Sequence, residues 1–386
     1  MTETRPGGRR HDLDALRVMS FGTLIIYHTS LIYGTKPWLL NAAEGSRLID
    51  LISIGSHPWR MSLLFFISGL ITTSLLKRKS IAQLRSERTR QLLLPFVLGI
   101  LFVVPPQMYF SNPDAFSEVS YLEFCMLYLV SGAPLGHMWF LAYLWIYAFL
   151  WLLVLPSISR YLPKISTCFT SSLQGAYLYL IPILFLAAIR LFLYPMFGET
   201  LIIATDIYSH VLYFSMFAAG ALLMDEPRFW QEIDRQRWRS LGLSAISLLI
   251  ITTIVVSVPR EQWPDAIVTS MRILRSIFQW SSIIALLAFA ARIANKPNRV
   301  VTYLNKSVLT YYVVHQTVIV IIGYYVAQAG MLNMHSFLPI AVAVTATCLV
   351  IGELQKFTMR YLKAMATKIA TSLRIGAKPS SSGAIS

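Results

Sequence analysis

Charge is the scarcest property of this 386-residue sequence. Only 13% of its residues are Asp, Glu, Lys or Arg, while 56% are hydrophobic. That charged share is about half of what globular domains carry. A soluble protein with so few charges could not cover its surface with polar groups, so the composition excludes an ordinary set of soluble domains. A protein embedded in lipid needs no such cover, and the composition therefore predicts an integral membrane protein.

Acidic residues and cysteines are also few. The 18 Asp and Glu residues face 33 Lys and Arg residues, which gives a net charge of +15. The basic residues lie in short clusters between apolar runs, which indicates a membrane-orientation signal rather than a nucleic-acid surface. The three cysteines are far apart and lack metal or redox spacing: Cys125, Cys168 and Cys348. We therefore expect no metal site, no tightly bound cofactor and no nucleic-acid partner.

Long apolar runs are abundant. A membrane-spanning helix needs about 20 mostly apolar residues. Ten windows of the sequence qualify: 16–34, 58–76, 91–110, 137–155, 175–194, 206–224, 240–258, 274–294, 308–328 and 336–354. The apolar stretch 119–131 is short and predicts an interfacial or re-entrant segment. The first window carries His28 and no cleavage site follows it, so we interpret it as a retained helix rather than a signal peptide.

The loops between these windows predict the orientation. If the N-terminus is inside, 26 of the 33 basic residues fall in cytoplasmic segments, and loops 111–136, 195–205 and 329–335 contain none. The pattern predicts an all-α integral membrane protein of about ten transmembrane helices with both termini in the cytoplasm. The exception is segment 259–275, which places three arginines outside: Arg260, Arg272 and Arg275.

Ionisable side chains within lipid are costly and therefore mark candidate functional positions. Arg17 and His28 are eleven residues apart in the first helix, on nearly the same face and separated by a rise of about 16 Å. His28 is thus expected beyond the midplane, and Arg17 near the cytoplasmic surface. The alternatives are an orientation anchor for Arg17 and a hydrogen-bonded packing residue for His28. Asp14 lies about 20 Å below His28, so we expect it to position Arg17 instead.

Four further places carry candidate residues. A cluster of three arginines leads the third helix, and guanidinium groups suit phosphates: Arg85, Arg88 and Arg90. His315 and Gln316 lie about 10 Å into the ninth helix. Glu353 lies at the inner end of the tenth helix. Arg60 and Arg190 lie at outer helix ends, where they could bind an anionic group. Each has a structural alternative, which is an orientation anchor, a paired packing histidine or a snorkelling side chain.

Several stretches resemble the membrane acyltransferase family 3. They run in order from residue 13 to 316: LDALR, YHTSLIY, NAAEGS, WRMSLLFFISG, LLLPF, HMWFL and NKSVLTYYVVHQ. The resemblance implies a ten-helix core that opens to both sides of the membrane. Arg17 and His28 match the family's Arg-x10-His pair. The family's Arg-x-x-Arg element matches Arg85 and Arg88 by spacing, or Arg88 and Gln91 when counted from the following proline.

The resemblance also implies the activity. The chain is expected to be an O-acyltransferase of the bacterial inner membrane that moves an acyl group, expected to be succinyl, from a cytoplasmic acyl-CoA co-substrate to hydroxyls of periplasmic glucan or another extracytoplasmic glycan. Membrane lipid and glucan-synthesis proteins are further expected partners. Residues 1–15 are then a cytoplasmic segment, 16–356 the transmembrane acyltransferase domain and 357–386 a basic cytoplasmic tail, partly disordered.

In that reaction His28 would take the proton of the sugar hydroxyl or form an acyl-histidine. The donor would be held by arginines at the inner side: Arg17, Arg85, Arg88 and Arg90. Tyr27, His315, Gln316, Asp14 and Glu353 are expected in supporting positions. Arg60 and Trp139 are expected on the acceptor side, where Trp38, Trp59 and Tyr109 would extend a sugar platform or form an interfacial belt.

Two competing functions stay open. One is an O-acetyltransferase of lipopolysaccharide or exopolysaccharide. The other is a transporter that exports the acyl donor or the glycan without catalysis. A transporter often carries matching broken helices in two halves, and no such pairing is evident in this sequence.

Overall fold

The computed structural model describes residues 9–112, 114–116 and 118–376. Its regular structure in these residues is helical, with the longer helices α1 His11–Ile32, α2 Arg47–Leu76, α3 Ile81–Ser111, α4 Tyr121–Val130, α5 Trp139–Ile158, α6 Leu162–Ser172, α7 Tyr177–Phe197, α8 Ile207–Leu223, α9 Pro227–Ser257, α10 Asp265–Ile293, α11 Arg299–Asn305, α12 Val308–Gln328 and α13 Phe337–Gly376. The predicted terminal segments 1–15 and 357–386 fall partly outside the described residues.

All ten apolar windows form helices. Nine helices of the described residues are long and apolar enough to cross a membrane. The tenth window corresponds to α8, whose 17 residues rise about 26 Å. The predicted all-α, multi-pass architecture is therefore confirmed. The short apolar stretch forms α4, and α13 continues for 40 residues, so residues 357–376 of the expected tail are helical.

Contacts between distant segments place the basic loops on one face. These contacts are Arg10 over the ring of Trp230 at 4.1 Å, Lys77 to Asp225 at 2.5 Å, and Arg292 to Asp234 at 2.5 Å. The N-terminal segment and the loops after α2, α8 and α10 therefore share one side of the molecule. This is the side that the sequence predicts to be cytoplasmic.

Helices α2 and α8 form the closest crossing in the core. Gly69 of α2 lies against the backbone of Phe217, and Gly220 of α8 lies against the backbone of Phe66. A Cβ atom at either glycine would overlap a carbonyl oxygen of the other helix. Small residues let helix backbones approach in lipid, where packing rather than the hydrophobic effect drives association. The crossing fixes the outer end of α2, which carries His57 and Arg60.

Three wide helical turns occur within α3 and α7, and each precedes a proline. The turns Thr89–Leu93 and Gly99–Val103 precede Pro95 and Pro105 in α3, and Ile189–Leu193 precedes Pro195 in α7. Proline lacks an N–H and its ring collides with the carbonyl four residues earlier, so a π-bulge relieves the conflict without ending the helix. The first bulge begins directly after Arg88.

Helix α1 lies in the middle of the bundle. It packs against α2, α10, α12 and α13, and its buried residues lie on several sides. The exposed residues of α1 are apolar, namely Met19, Gly22 and Ile26, so its polar residues lie against protein rather than lipid. That position determines the surroundings of Arg17 and His28.

Candidate active site

A cavity of about 1020 Å³ lies on the predicted outer side of the bundle. The outer halves of α1 and α2 line it, together with α3, α12 and the loops before α5 and α8. Six residues that the sequence singled out meet there: Tyr27, His28, Trp38, Arg60, Trp139 and Gln316. His28 therefore faces a cavity within the protein, not the acyl chains of lipid.

His28 and His315 form a hydrogen-bonded pair. The Nδ1 of His315 lies 2.6 Å from the Tyr312 carbonyl oxygen, and its Nε2 lies 3.0 Å from the Nδ1 of His28. A carbonyl oxygen only accepts, so the proton of neutral His315 is on Nδ1 and its Nε2 accepts from the Nδ1–H of His28. The Nε2 of His28 then carries a lone pair, and it has no hydrogen-bond partner among the described residues. This is the protonation state that a general base requires.

The helix that carries His315 is tied to its neighbours on both sides of this residue. The His137 Nε2–H donates to the Val313 carbonyl at 2.8 Å, and the Tyr312 hydroxyl donates to the His137 carbonyl. The Thr317 hydroxyl donates to the Val103 carbonyl of α3 at 2.7 Å. These bonds span the turn that carries His315, so its ring has little freedom to leave His28.

The loop between α1 and α2 positions an aromatic ring on His28. The Trp38 ring stacks on the His28 ring with centroids 6.0 Å apart and planes 19° apart. The backbone N–H of Trp38 donates to the side-chain oxygen of Asn41 at 2.8 Å, and the side-chain amide of Asn41 donates to the Lys36 carbonyl at 3.1 Å. Asn41 thus folds the loop that carries Trp38, which gives the NAAEGS stretch a local structural role.

Arg60 lies at the same end of the cavity and is 1% exposed. Its guanidinium carbon lies 4.1 Å from the centroid of the Tyr27 ring, and the Tyr27 ring centroid lies 4.8 Å from that of His28. Arg60 donates to the Ser56 hydroxyl at 3.2 Å, whereas its Nε is buried and has no hydrogen-bond partner in residues 9–112, 114–116 and 118–376. Within the described residues it forms no ion pair with a carboxylate.

Charged loop residues lie near the outer rim. Glu199 lines the cavity and accepts a hydrogen bond from the Tyr213 hydroxyl at 3.3 Å. Burial and the nearby charge of Asp206 raise the pKa of Glu199. Burial, reinforced by Arg260 and Arg275, lowers the pKa of Lys36 on the α1–α2 loop.

Two loops around the cavity contain strained backbone. Ala133 has a φ of 44° and Leu201 a φ of 56°, both in the left-handed region that residues with a Cβ rarely adopt. Both residues line the cavity. Such strain persists only where surrounding contacts fix it, and it concentrates at ligand sites. The bond from the Leu201 N–H to the Asp206 carboxylate, 3.0 Å long, is one of these contacts.

Sequence reasoning missed several polar residues that line the cavity, among them His57, His137, Glu199 and Gln107. The amide of Gln107 is fully buried and has no hydrogen-bond partner among the residues that the structure describes. A usable signal was the occurrence of His57 and His137 at the outer edges of apolar windows in a sequence with only seven histidines. No pattern in the sequence distinguishes Glu199, because it lies in a loop.

The inner arginines form a second group. Arg17 and Arg88 lie close enough to repel each other electrostatically. Arg88 donates to the Thr72 hydroxyl at 3.5 Å, and its Nε is buried without a hydrogen-bond partner in the described part of the chain. Arg85 is half-buried, whereas Arg90 and Gln91 are exposed. Arg85 and Arg88 thus lie on the more buried face of α3.

The outer cavity does not extend to these arginines. Leu24, one turn inside His28, is the innermost residue of α1 that lines it, and neither Arg17 nor Arg88 does so. The rise from Arg17 to His28 is about 16 Å. A donor held at the arginines must therefore pass Leu24 to bring its acyl group to His28.

Several predicted residues lie outside the cavity. Asp14 pairs with Arg9 at 2.6 Å and accepts from Asn305 at 2.7 Å, while it acts on Arg17 only electrostatically. Glu353 accepts from the Tyr303 hydroxyl at 2.6 Å and from Lys356 at 2.7 Å, in an inner cluster apart from His28. Trp59 and Tyr109, expected near a sugar platform, do not line the cavity, whereas Trp38 and Trp139 do.

The part of the chain that the structure describes contains no set of metal ligands. No three His, Cys, Asp or Glu side chains are arranged there to hold a metal ion. His28, His137 and His315 lie close together, but the contacts above involve one ring nitrogen of His28, one of His137 and both of His315. The arrangement fits proton transfer.

Comparisons with known proteins give a consistent result. A family model described as an acyltransferase domain matches residues 10–353. Glucans biosynthesis protein C from Escherichia coli strain K12 and from strain SMS-3-5 / SECEC is 30% identical over 102 residues, which cover 26% of this chain and 26% of each relative. The match therefore spans about a quarter of the length of these relatives. No solved structure matches the chain significantly.

Proposed function

This chain belongs to the membrane acyltransferase family 3. We propose that it lies in the bacterial inner membrane and transfers a succinyl group from a cytoplasmic acyl-CoA to hydroxyls of a periplasmic glucan. The observation that carries the proposal is the His28–His315 pair in a cavity on the predicted outer side, with the Nε2 of His28 unpartnered. The glucan acceptor is supported by the name of the relatives, glucans biosynthesis protein C.

The glucan hydroxyl approaches His28 from the outer cavity. Its oxygen attacks the thioester carbonyl carbon while its proton passes to the Nε2 of His28. The new C–O bond forms, the C–S bond breaks, and the proton then passes from His28 to the departing thiolate, so that coenzyme A leaves as the thiol. His315 accepts from the Nδ1–H of His28 throughout and thereby holds the ring in the required orientation.

The donor binds through its phosphates at the inner side. Arg17 and Arg88 bring two cations close together, and within the described residues neither forms an ion pair with a carboxylate, which suits a polyphosphate group. The acyl-pantetheine arm extends along α1 over the rise of about 16 Å between Arg17 and His28. Leu24 must move aside for the thioester to reach the histidine.

The acceptor binds in the outer cavity. Trp38, stacked on His28, and Trp139 present aromatic surfaces to the space where a sugar ring would lie. The buried amide of Gln107 lines the same space and has unpaired donor and acceptor atoms for a sugar hydroxyl or for the oxyanion of the tetrahedral intermediate. An unpaired buried amide is costly, so a ligand that satisfies it gains affinity.

Mass spectrometry of periplasmic glucans from cells with and without this protein tests the proposal. We expect a succinyl mass increment on glucan only when the protein is present. An acetyl increment on lipopolysaccharide or exopolysaccharide instead would favour the O-acetyltransferase alternative. Identical glycans in both cells, together with export of unmodified glycan by the protein, would favour a transporter and contradict the proposal.

A further inference from the structure

Arg60 is a buried cation that the protein leaves without a counter-ion. It is 1% exposed, and within the described residues it has no carboxylate in ion-pairing distance. Its polar contacts are the Ser56 hydroxyl at 3.2 Å and Tyr27, and its Nε has none. Burying an uncompensated charge is costly. An anionic ligand in the cavity would remove that cost.

The carboxylate of the cavity does not neutralise Arg60. Glu199 lines the same space, but it accepts from the Tyr213 hydroxyl, and the cation acting on it is Arg190. Arg190 in turn donates to Gln279 and to the Tyr208 hydroxyl, so it belongs to a polar network of its own. Arg60 is therefore the cation in this cavity that a ligand can reach beside His28.

The distance between Arg60 and His28 suits a short chain with an acid at its end. Both groups flank the Tyr27 ring, at 4.1 Å and 4.8 Å from its centroid, so the guanidinium and the imidazole are at most about 9 Å apart. The two carbonyl carbons of an extended four-carbon diacid are about 4 Å apart. With its thioester carbon beside the hydroxyl on His28, such a chain brings its free carboxylate to the guanidinium.

We propose that Arg60 binds the free carboxylate of the transferred acyl group and so makes this site select dicarboxylic acyl donors. The inference rests on the proposed function and assigns to Arg60 a role on the acyl group rather than on the acceptor glycan. Guanidinium and carboxylate form short, charge-assisted hydrogen bonds. A neutral chain of equal length would place a methyl group against the buried charge, and an acetyl group would leave Arg60 unpaired.

The test compares succinyl-CoA with butyryl-CoA, which has the same number of acyl carbons and no carboxylate. Donor affinity of the purified protein is measured by calorimetry, and transfer to glucan is measured in membrane vesicles. For the wild type we expect kcat/KM to be at least about 30-fold higher with succinyl-CoA than with butyryl-CoA. Arg60→Gln should lower kcat/KM for succinyl-CoA by about 100-fold and for butyryl-CoA by less than about 3-fold. Arg60→Lys keeps the charge but loses the planar guanidinium. Its kcat/KM for succinyl-CoA should lie between those of the wild type and Arg60→Gln.

Arg260→Gln is the matched control, since it removes an exposed outer arginine that does not line the cavity; both donors should behave as in the wild type. Equal use of the two donors by the wild type would overturn the inference, and so would an equal loss for both in Arg60→Gln, which would indicate an oxyanion or folding role. If no donor yields a glucan ester, the proposed function fails, and the calorimetric preference of the wild type still decides the role of Arg60.

Discussion

At the scale of residues, two successive hydrogen bonds determine what His28 can do. The Tyr312 carbonyl fixes the proton of His315 on Nδ1, and His315 in turn fixes the proton of His28 on its own Nδ1. His315 thus has an orienting role like that of the third group in catalytic triads, although it is neutral. A neutral partner avoids placing a second charge in lipid.

This arrangement predicts different effects for two substitutions of His315. His315→Gln keeps an acceptor that can receive the Nδ1–H of His28, whereas His315→Leu leaves that donor buried and unpaired. We expect kcat to fall by about 10-fold for His315→Gln and about 100-fold for His315→Leu, with KM for acyl-CoA unchanged in both. Steady-state kinetics on reconstituted protein measures this. Equal rates for the two variants would show that the hydrogen bond has no orienting role.

The sequence could identify His28 and His315 as candidates, but not the hydrogen bond between their rings. Helical periodicity and the cost of a buried imidazole are local properties, and they pointed to His28 without any tertiary information. The contact between His28 and His315 joins residues 287 positions apart. His57, His137 and Gln107 reach the cavity for the same non-local reason, because contacts between segments distant in sequence decide which faces meet.

At the scale of elements, the π-bulge of α3 separates arginines that lie close in sequence. Arg85 and Arg88 precede the bulge Thr89–Leu93 on the more buried face, while Arg90 lies within it and is exposed. A regular helical projection of the sequence could not locate this change. Arg88 is common to both alignments of the Arg-x-x-Arg element, so it is the arginine on which the donor-binding prediction is tested.

We predict that Arg88→Ala raises KM for acyl-CoA by about 10- to 30-fold and changes kcat by less than about 3-fold, because it removes a charge-assisted contact to a phosphate. The exposed neighbour Arg90 is the comparison, and Arg90→Ala should change KM by less than about 2-fold. Kinetics over a range of donor concentrations tests both variants. The same KM in Arg88→Ala as in the wild type would make this arginine an orientation anchor only.

At the scale of the whole molecule, the outer end of α2 depends on its crossing with α8. Gly69→Ala would place a methyl group on the Phe217 carbonyl oxygen and push the helices apart. We expect it to destabilise the protein by about 1–3 kcal/mol, with a lower Tm in detergent. Gly242→Ala is the control, because nothing lies within 4 Å of a Cβ built there, and its Tm should stay equal or rise. Equal Tm values for both variants would contradict this account of the crossing.

The fold of the whole molecule was largely predictable, because lipid restricts the chain to helices whose lengths and flanking charges are visible in the sequence. All ten windows are helices, and the basic loops meet on one face. Packing was not predictable at this scale. The loop that holds Trp38 over His28 and the strained segments around Ala133 and Leu201 arise from contacts between distant helices.

Transfer across a sealed bilayer tests the central claim most directly. Vesicles would hold the protein with its predicted cytoplasmic face inward, labelled succinyl-CoA inside and glucan outside. We predict that the external glucan gains label with the wild type and that His28→Ala lowers this rate by at least about 100-fold while the protein stays folded. If the His28→Ala protein labelled the external glucan at the wild-type rate, this would contradict the account.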